Sequence, residues 1–464
     1  MNQELNDLLR PYGQEHLIAF WDELSPDRQE ELAGQIHEID FAQLAKLYED
    51  RDKAQDFESL IERSTPPPAF RLDKKLNRFS PEEAKTRAAE VLAEGKVGVI
   101  LVAGGQGTRL GFKHPKGMYR IGPVSDATLF QIHIEKVRAL AKQYGCSVPL
   151  YVMTSPATHD ETVEFLEQND RFGLPAEDLI LFCQGTMPAV DMATGKVLLA
   201  EKGQLALSPD GHGGMLAALK KSGALADVQR RGVEHLFYLQ VDNPLVDIGG
   251  EEFLGYHLLS DSELSSQVVA KQDPLEPVGC VVQVDNQFRV IEYSDLKSSK
   301  KVHERLPDGS LEVWAGSIAV HVMEVALLAR MADQAEALPF HIARKKVAHV
   351  DETGHRVEPG ELNAIKFERF IFDLLPAAKN AVVVEIDPRE GFAPLKNASG
   401  KPKDTPEYVR EYMVALHRRW LAAAGVEVAE GIPVEISPLL ARTPEQVAER
   451  VERGTRVSEP TYLF

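Results

Sequence analysis

Glycine, lysine and arginine crowd into one short stretch, LVAGGQGTRLGFKHPKGMY at residues 101–119. Gly104, Gly105, Gly107 and Gly111 allow tight turns and leave several backbone N–H groups uncovered, which favours phosphate. Arg109 adds a bidentate cation and Lys116 a point charge, a pair suited to gripping a polyphosphate. The spacing differs from other phosphate loops. A P-loop needs Lys-Ser or Lys-Thr after its glycines, and none follows here. Gly105, Gly107 and Gly111 give G-x-G-x-x-x-G rather than the dinucleotide fingerprint G-x-G-x-x-G. A second candidate is Asp242, in Val241-Asp242-Asn243 after an apolar run. A carboxylate at the C-terminal edge of a parallel sheet lies where ligands bind, and it suits Mg²⁺ or a ribose hydroxyl.

The elements that must position these groups are legible as apolar runs. Val97 to Ala103 (VGVILVA) is continuous and ends in glycines, as expected of a strand covered on both faces. Similar runs lie at 148–155, 179–185, 235–243 and 381–387. Helical patterns at 126–143, 160–168 and 213–231 separate several of them. That alternation predicts an α/β fold with a mostly parallel central sheet and helices on both faces. Asp285-Asn286 between two apolar runs predicts a hairpin over 278–293. Residues 1–63 read as helical: Leu17, Phe20, Trp21 and Leu24 share one helical face, and Ile36, Ile39, Phe41, Leu44 and Leu47 form a second stripe. Ser25-Pro26 and Ser80-Pro81 read as capped helix starts, and STPPPA at 64–69 as a linker. The expected organisation is an N-terminal helical segment and linker (1–90), a catalytic domain (91–385) and a small C-terminal domain (386–464) with a helix near 406–423.

The chain has 464 residues, with 71 acids against 52 bases and a net charge of −19. That balance argues against nucleic-acid or anionic-membrane partners, which call for a basic patch. Three cysteines, none in a C-x-x-C pair, argue against a disulfide scaffold or zinc ribbon. With no run of 18 uncharged apolar residues and no signal-peptide pattern at the start, the expectation is a reduced, cytoplasmic protein.

The glycine-rich stretch resembles the G-G-x-G-T-R-L…P-K signature of sugar-1-phosphate pyrophosphorylases. The chain is similar above all to the eukaryotic-type UDP-N-acetylhexosamine pyrophosphorylases. GQEHLIAFWDEL (13–24), TLFQIHIEKV (128–137), SPDGHGG (208–214), IEYSDL (291–296), LPFHIARKK (338–346), FERFIFDLL (367–375) and PLKNASG (394–400) fall in that family's order. The resemblance implies a Rossmann-like, GT-A-type nucleotidyltransferase fold. It implies UTP and a hexose or hexosamine 1-phosphate as substrates, with Mg²⁺ as cofactor. The sugar phosphate attacks the α-phosphorus of UTP in line and pyrophosphate leaves, which requires alignment and charge neutralisation rather than a covalent intermediate.

Roles follow by matching positions. Ala103, Gly104, Gly105, Gly107, Thr108 and Gly211 correspond to nucleotide-contacting positions, and Gln184 to a uracil-reading glutamine. Arg109, Lys116 and Lys396 match catalytic cations around the phosphates, and Asp242 the metal position. Gly279, Glu292, Tyr293, Phe370 and Phe372 match positions facing the sugar. Two further sugar positions depart from the N-acetylhexosamine pattern: His212 and Ser317 each stand where that branch carries Asn. The triplet Gly211-His212-Gly213 looks more like the UDP-glucose branch, which keeps glucose or galactose 1-phosphate as an alternative. A glycosyltransferase is disfavoured because the single Asp-x-Asp, Asp50-Arg51-Asp52, falls in the helical segment. A non-catalytic UDP-sugar sensor would have no need of Arg109, Lys116 and Lys396.

Overall fold

A computed structural model of the protein describes residues 2–53, 57–296, 299–334 and 338–464. The chain forms two compact units. One joins Met1–Asp56, Gln184–Ala217 and Glu336–Asp373; the other joins Phe57–Cys183, Ala218–Ala335 and Leu374–Phe464.

The larger unit is built on a ten-stranded sheet. Its strands are β1 (Ala69–Phe70), β2 (Val97–Val102), β3 (Leu150–Thr154), β4 (Leu179–Cys183), β5 (His235–Gln240), β6 (Leu264–Ala270), β7 (Cys280–Val284), β8 (Gln287–Ile291), β9 (Ala315–Glu324) and β10 (Val382–Glu385). The main order is β1-β10-β6-β9-β5-β2-β3-β4, and the β7–β8 hairpin joins through β9. Only β9 runs antiparallel to its neighbours β5 and β6; the other pairings along this order are parallel. The apolar runs form the strands expected of them because helices cover the sheet. In β3, for example, every residue is buried. Among the helices, α1 (Pro81–Ala93) starts in a capping box formed by Ser80 and Glu83, and α2 (Leu129–Tyr144) is capped by Thr128. α3 (Glu251–Leu259) approaches α1 so closely that a Cβ at Gly255 would overlap the Ala84 carbonyl. α4 (Pro406–Ala423) matches the helix expected near 406–423. Asp285 and Asn286 have φ of 50° and 63°, the left-handed pair that a two-residue hairpin requires.

The smaller unit packs helices Pro26–His37 and Phe41–Glu49 with a three-stranded antiparallel sheet of Val190–Asp191, Ala364–Glu368 and His341–Lys345. Leu32, Ile36, Phe41, Leu44, Val190 and Phe367 lie in its core. A short hairpin pairs Thr186–Pro188 with Leu207–Pro209, so Gln184-Gly185 and Asp210-Gly211 emerge side by side at its open end.

Three local expectations change. Residues 15–23 form two 3₁₀ turns, not one helix, yet Leu17, Phe20 and Trp21 are still buried together. The i, i+3 spacing is common to both helix types. The stretch at 64–69 is not a free linker: Thr65 and Gln283 exchange both backbone hydrogen bonds, at 2.8 and 2.9 Å, and Ala69 enters the sheet. The helix expected over 213–231 breaks into Met215–Lys221 and Ala224–Arg230, because Gly223 turns left-handed at φ 80°. No helix among the described residues is long and apolar enough to cross a membrane.

Candidate functional site

The larger unit gathers the predicted phosphate ligands at one sheet edge. Gln240 of β5 pairs with Val102 of β2 in parallel register, so Asp242 and the glycine-rich loop leave the sheet on the same side. The loop is closed by its own backbone. Gly107 N–H donates to His114 O and Lys116 N–H to Gly105 O, both at 3.0 Å, while Ser155 Oγ holds Gly104 O at 2.8 Å. Ala103 is buried and donates its N–H to Met153 O at 2.7 Å. Thr108–Leu110 form one 3₁₀ turn that ends at Gly111, φ 70°. Thr108 and Arg109 are exposed. Lys116 Nζ lies 3.4 Å from Asp242 Oδ2, both side chains largely buried. Asp242 O accepts the Leu395 N–H at 2.8 Å, which brings Lys396 beside it in the chain. Asp404 O receives the N–H groups of Lys396 and Asn397 at 2.8 and 2.9 Å. Burial raises the Asp404 carboxyl above its usual range, Lys396 and Lys403 oppose that rise, and Asp242 adds to it.

A second group in this unit brings Gly279, Glu292 and Ser317 together. Ser317 N–H donates to Gly279 O at 2.8 Å, and a Cβ at Gly279 would lie 3.0 Å from Glu292 Oε1. Glu292 follows β8 directly. Tyr293 opens the short helix Tyr293–Leu296 and is exposed.

The smaller unit gathers Gln184, Gly211, His212, Phe370 and Phe372. Gln184 is buried at the hairpin's open end. Gly211 adopts φ 85°, and a Cβ there would overlap the Arg369 carbonyl. His212 packs on Phe370 and Phe372, with ring centroids 5.2 and 5.6 Å away. Its Nδ1 accepts the Ile371 N–H at 3.2 Å, which leaves Nε2 to carry the proton. Burial, with His341 nearby, pushes its pKa down to about 4. His212 is therefore a neutral N–H donor at neutral pH.

Segment-by-segment reading passed over several residues of these clusters. Asp210 is buried beneath Gly211–Gly214. Arg369 joins it, with Arg369 N–H donating to Asp210 O at 2.7 Å. His341 Nε2 contacts Asp373 Oδ2 at 2.7 Å while its ring packs on Phe370. Asp404 backs Lys396. The available signal was a charged residue inside an otherwise apolar or glycine-rich motif, as in SPDGHGG and FERFIFDLL.

Residues 40–421 match the family model described as UTP--glucose-1-phosphate uridylyltransferase. The chain is 37% identical to the UDP-N-acetylglucosamine pyrophosphorylase of Saccharomyces cerevisiae, over 94% of each protein. It is 38% identical to the human UDP-N-acetylhexosamine pyrophosphorylase-like protein 1, over 91% of this chain and 86% of that one. Its fold matches a crystal structure of the UDP-N-acetylglucosamine pyrophosphorylase of Trypanosoma brucei with TM-score 0.82 at 24% identity, over 97% of this chain and 94% of that one.

Proposed function

The chain belongs to the UTP–glucose-1-phosphate uridylyltransferase family, and we propose that its own reaction joins UTP to N-acetylglucosamine 1-phosphate, forming UDP-N-acetylglucosamine and pyrophosphate. The Saccharomyces cerevisiae relative, alike over 94% of each protein, is named for that sugar and the human one for N-acetylhexosamine, which supports an N-acetylated sugar. The observation that carries the phosphate chemistry is the placement of the glycine loop, Lys116, Asp242 and Lys396 at one sheet edge.

A sugar-phosphate oxygen forms a bond to the α-phosphorus as the bond to the leaving pyrophosphate breaks. The protein's part is to align two anions and offset growing charge. Gly104 and Gly105 present backbone to the nucleotide, while Gly107, whose N–H and carbonyl are both spent within the loop, shapes the turn behind them. Arg109 and Lys116 face the departing phosphates, and Lys396 the α-phosphate and the sugar phosphate. On the smaller unit, Gln184 offers a donor and an acceptor to the uracil edge. His212, with Nε2–H, donates toward the sugar, and Phe370 and Phe372 offer an apolar wall for an acetyl methyl. Glu292 accepts from sugar hydroxyls, beside Gly279 and Ser317.

Mg²⁺ is the proposed cation. Among the described residues no group of three or more His, Cys, Asp or Glu could hold a metal. A single carboxylate such as Asp242 fits Mg²⁺, which fills its shell with water and substrate phosphate oxygens. When bound, the ion neutralises phosphate charge.

One feature favours a second reading. His212 supplies a single N–H where an Asn would supply both a donor and an acceptor, which keeps glucose 1-phosphate as the alternative substrate. The direct test is pyrophosphate formation with each substrate omitted in turn. Product must require both UTP and the sugar phosphate. Pyrophosphate released from UTP alone would contradict the transfer.

A further inference from the structure

Three ligand-facing segments of the smaller unit converge on one carboxylate. Asp210 N–H donates to Gly185 O at 3.2 Å, Arg369 N–H to Asp210 O at 2.7 Å, and Gly213 N–H to Arg369 O at 2.8 Å. These bonds tie 184–185, 210–214 and 369–371 into one knot. The Asp210 side chain fills its centre: a Cβ at Gly185 would lie 3.2 Å from Oδ2, and one at Gly214 would overlap the carboxylate. Two of the surrounding glycines are thus explained by the carboxylate itself. Asp210 is only 7% exposed, and its Oδ1 has no hydrogen-bond partner among the described residues; nor does Arg369 Nε, which is also buried. Such a group is costly to bury and is not a natural choice for stability alone.

We infer that Asp210 is a positioning residue that sets Gln184 and His212 in register with each other, so that one side chain governs recognition of both the nucleotide and the sugar. The inference rests on the uridylyltransferase reading above. Gln184 precedes Gly185 and His212 follows Gly211, so a shift of the carboxylate displaces both readers together. Arg369 faces Asp210 as its counter-charge, and its guanidinium is braced over the Phe340 ring at 3.9 Å.

The test is steady-state kinetics of the full chain with UTP and N-acetylglucosamine 1-phosphate, each varied separately, alongside a thermal melt. Asp210→Asn keeps the shape and removes the charge. The expected result is a tenfold or greater rise in both KM values, a smaller change in kcat, and a lower UTP-to-CTP preference. A folded D210N whose KM for either substrate stays within twofold of wild type overturns the inference. Gly185→Ala serves if D210N does not fold. Its new methyl presses on Oδ2 but adjoins only Gln184 in the chain. A rise in both KM values supports transmission through Asp210, and a rise for UTP alone overturns it. Wild-type protein that forms no pyrophosphate would remove the parent reading, whereas active wild type with an indifferent D210N removes only this one.

Discussion

Gly105 separates what the fold needs from what the ligand needs. A Cβ added there meets nothing within 4 Å, and its φ lies outside the left-handed range. The fold therefore gives no reason for glycine at this position. Replacing a glycine by alanine at a compatible backbone position stabilises by about 0.4–1 kcal/mol through the unfolded chain. For a protein of this size that is a rise of about 0.4–1 °C in Tm. The same methyl occupies the open face of the loop, where the nucleotide's backbone contacts are proposed. Losing one such preorganised contact costs about a hundredfold in kcat/KM, or about 2.7 kcal/mol. Gly105→Ala should thus raise Tm slightly and lower kcat/KM for UTP strongly. Gly107→Ala is the control with the opposite logic. Its Cβ would lie 2.7 Å from Phe112 Cδ1 and 2.9 Å from Phe112 O, so the loop itself must move, at about 1–3 kcal/mol. Scanning calorimetry and a pyrophosphate-release assay read both quantities. A Gly105→Ala protein with kcat/KM within threefold of wild type refutes the placement of nucleotide on this loop.

Arg109→Ala should slow turnover about a hundredfold with little change in Tm, since the side chain is exposed and its proposed work is on the leaving group; an unchanged kcat in a stopped assay counts against it. His212→Asn should raise the ratio of kcat/KM for N-acetylglucosamine 1-phosphate over glucose 1-phosphate, and no shift in that ratio would remove His212 from the sugar contact. Glu435→Gln should destabilise by about 1.5–3 kcal/mol, measured by urea denaturation, because the buried carboxylate receives the Val124 and Ser125 N–H groups at 2.8 and 2.6 Å. Stability should fall as pH drops from 7.5 to 5. Burial lowers His133 to about 3 and His212, His235 and His417 to about 4, so the unfolded chain takes up protons from about pH 6.5 downward before the native state does. Asp210, raised to about 6 by burial, works the other way, as do Asp404, Glu135 and Glu324, which burial also raises; His16 and His257, lowered by burial as well, make six histidines against four carboxyls. A Tm at pH 5 equal to that at pH 7.5 contradicts this balance.

Buried polar residues interrupt the apolar pattern of β6 (LSSQVVA) and β9 (AGSIAVHVME), so neither was legible as a strand. Strands β2, β3, β4, β5 and β10 were legible because each is a self-contained apolar run, and the hairpin because Asp285-Asn286 names its own turn. The glycine loop was legible for the same reason: its chemistry lies within 19 consecutive residues. The smaller unit was not. Its core joins Leu32 and Phe41 to Val190 and Phe367, and no local pattern announces a partnership between residues that far apart. Asp210 and Arg369 escaped for a related reason. Each reads alone as a surface charge, and only the return of 369–371 onto 210–213 buries them. The single helical face read from Leu17, Phe20, Trp21 and Leu24 failed because i, i+3 spacing cannot separate a 3₁₀ turn from an α-helix.

The most direct measurement is pyrophosphate release from UTP and Mg²⁺ with N-acetylglucosamine 1-phosphate and glucose 1-phosphate side by side, compared as kcat/KM. The N-acetylated sugar should win by tenfold or more, about 1.4 kcal/mol in transition-state binding. Preference for glucose 1-phosphate would mean that His212 and Ser317 respecify the sugar site, and release with neither sugar would contradict the assignment of the reaction itself.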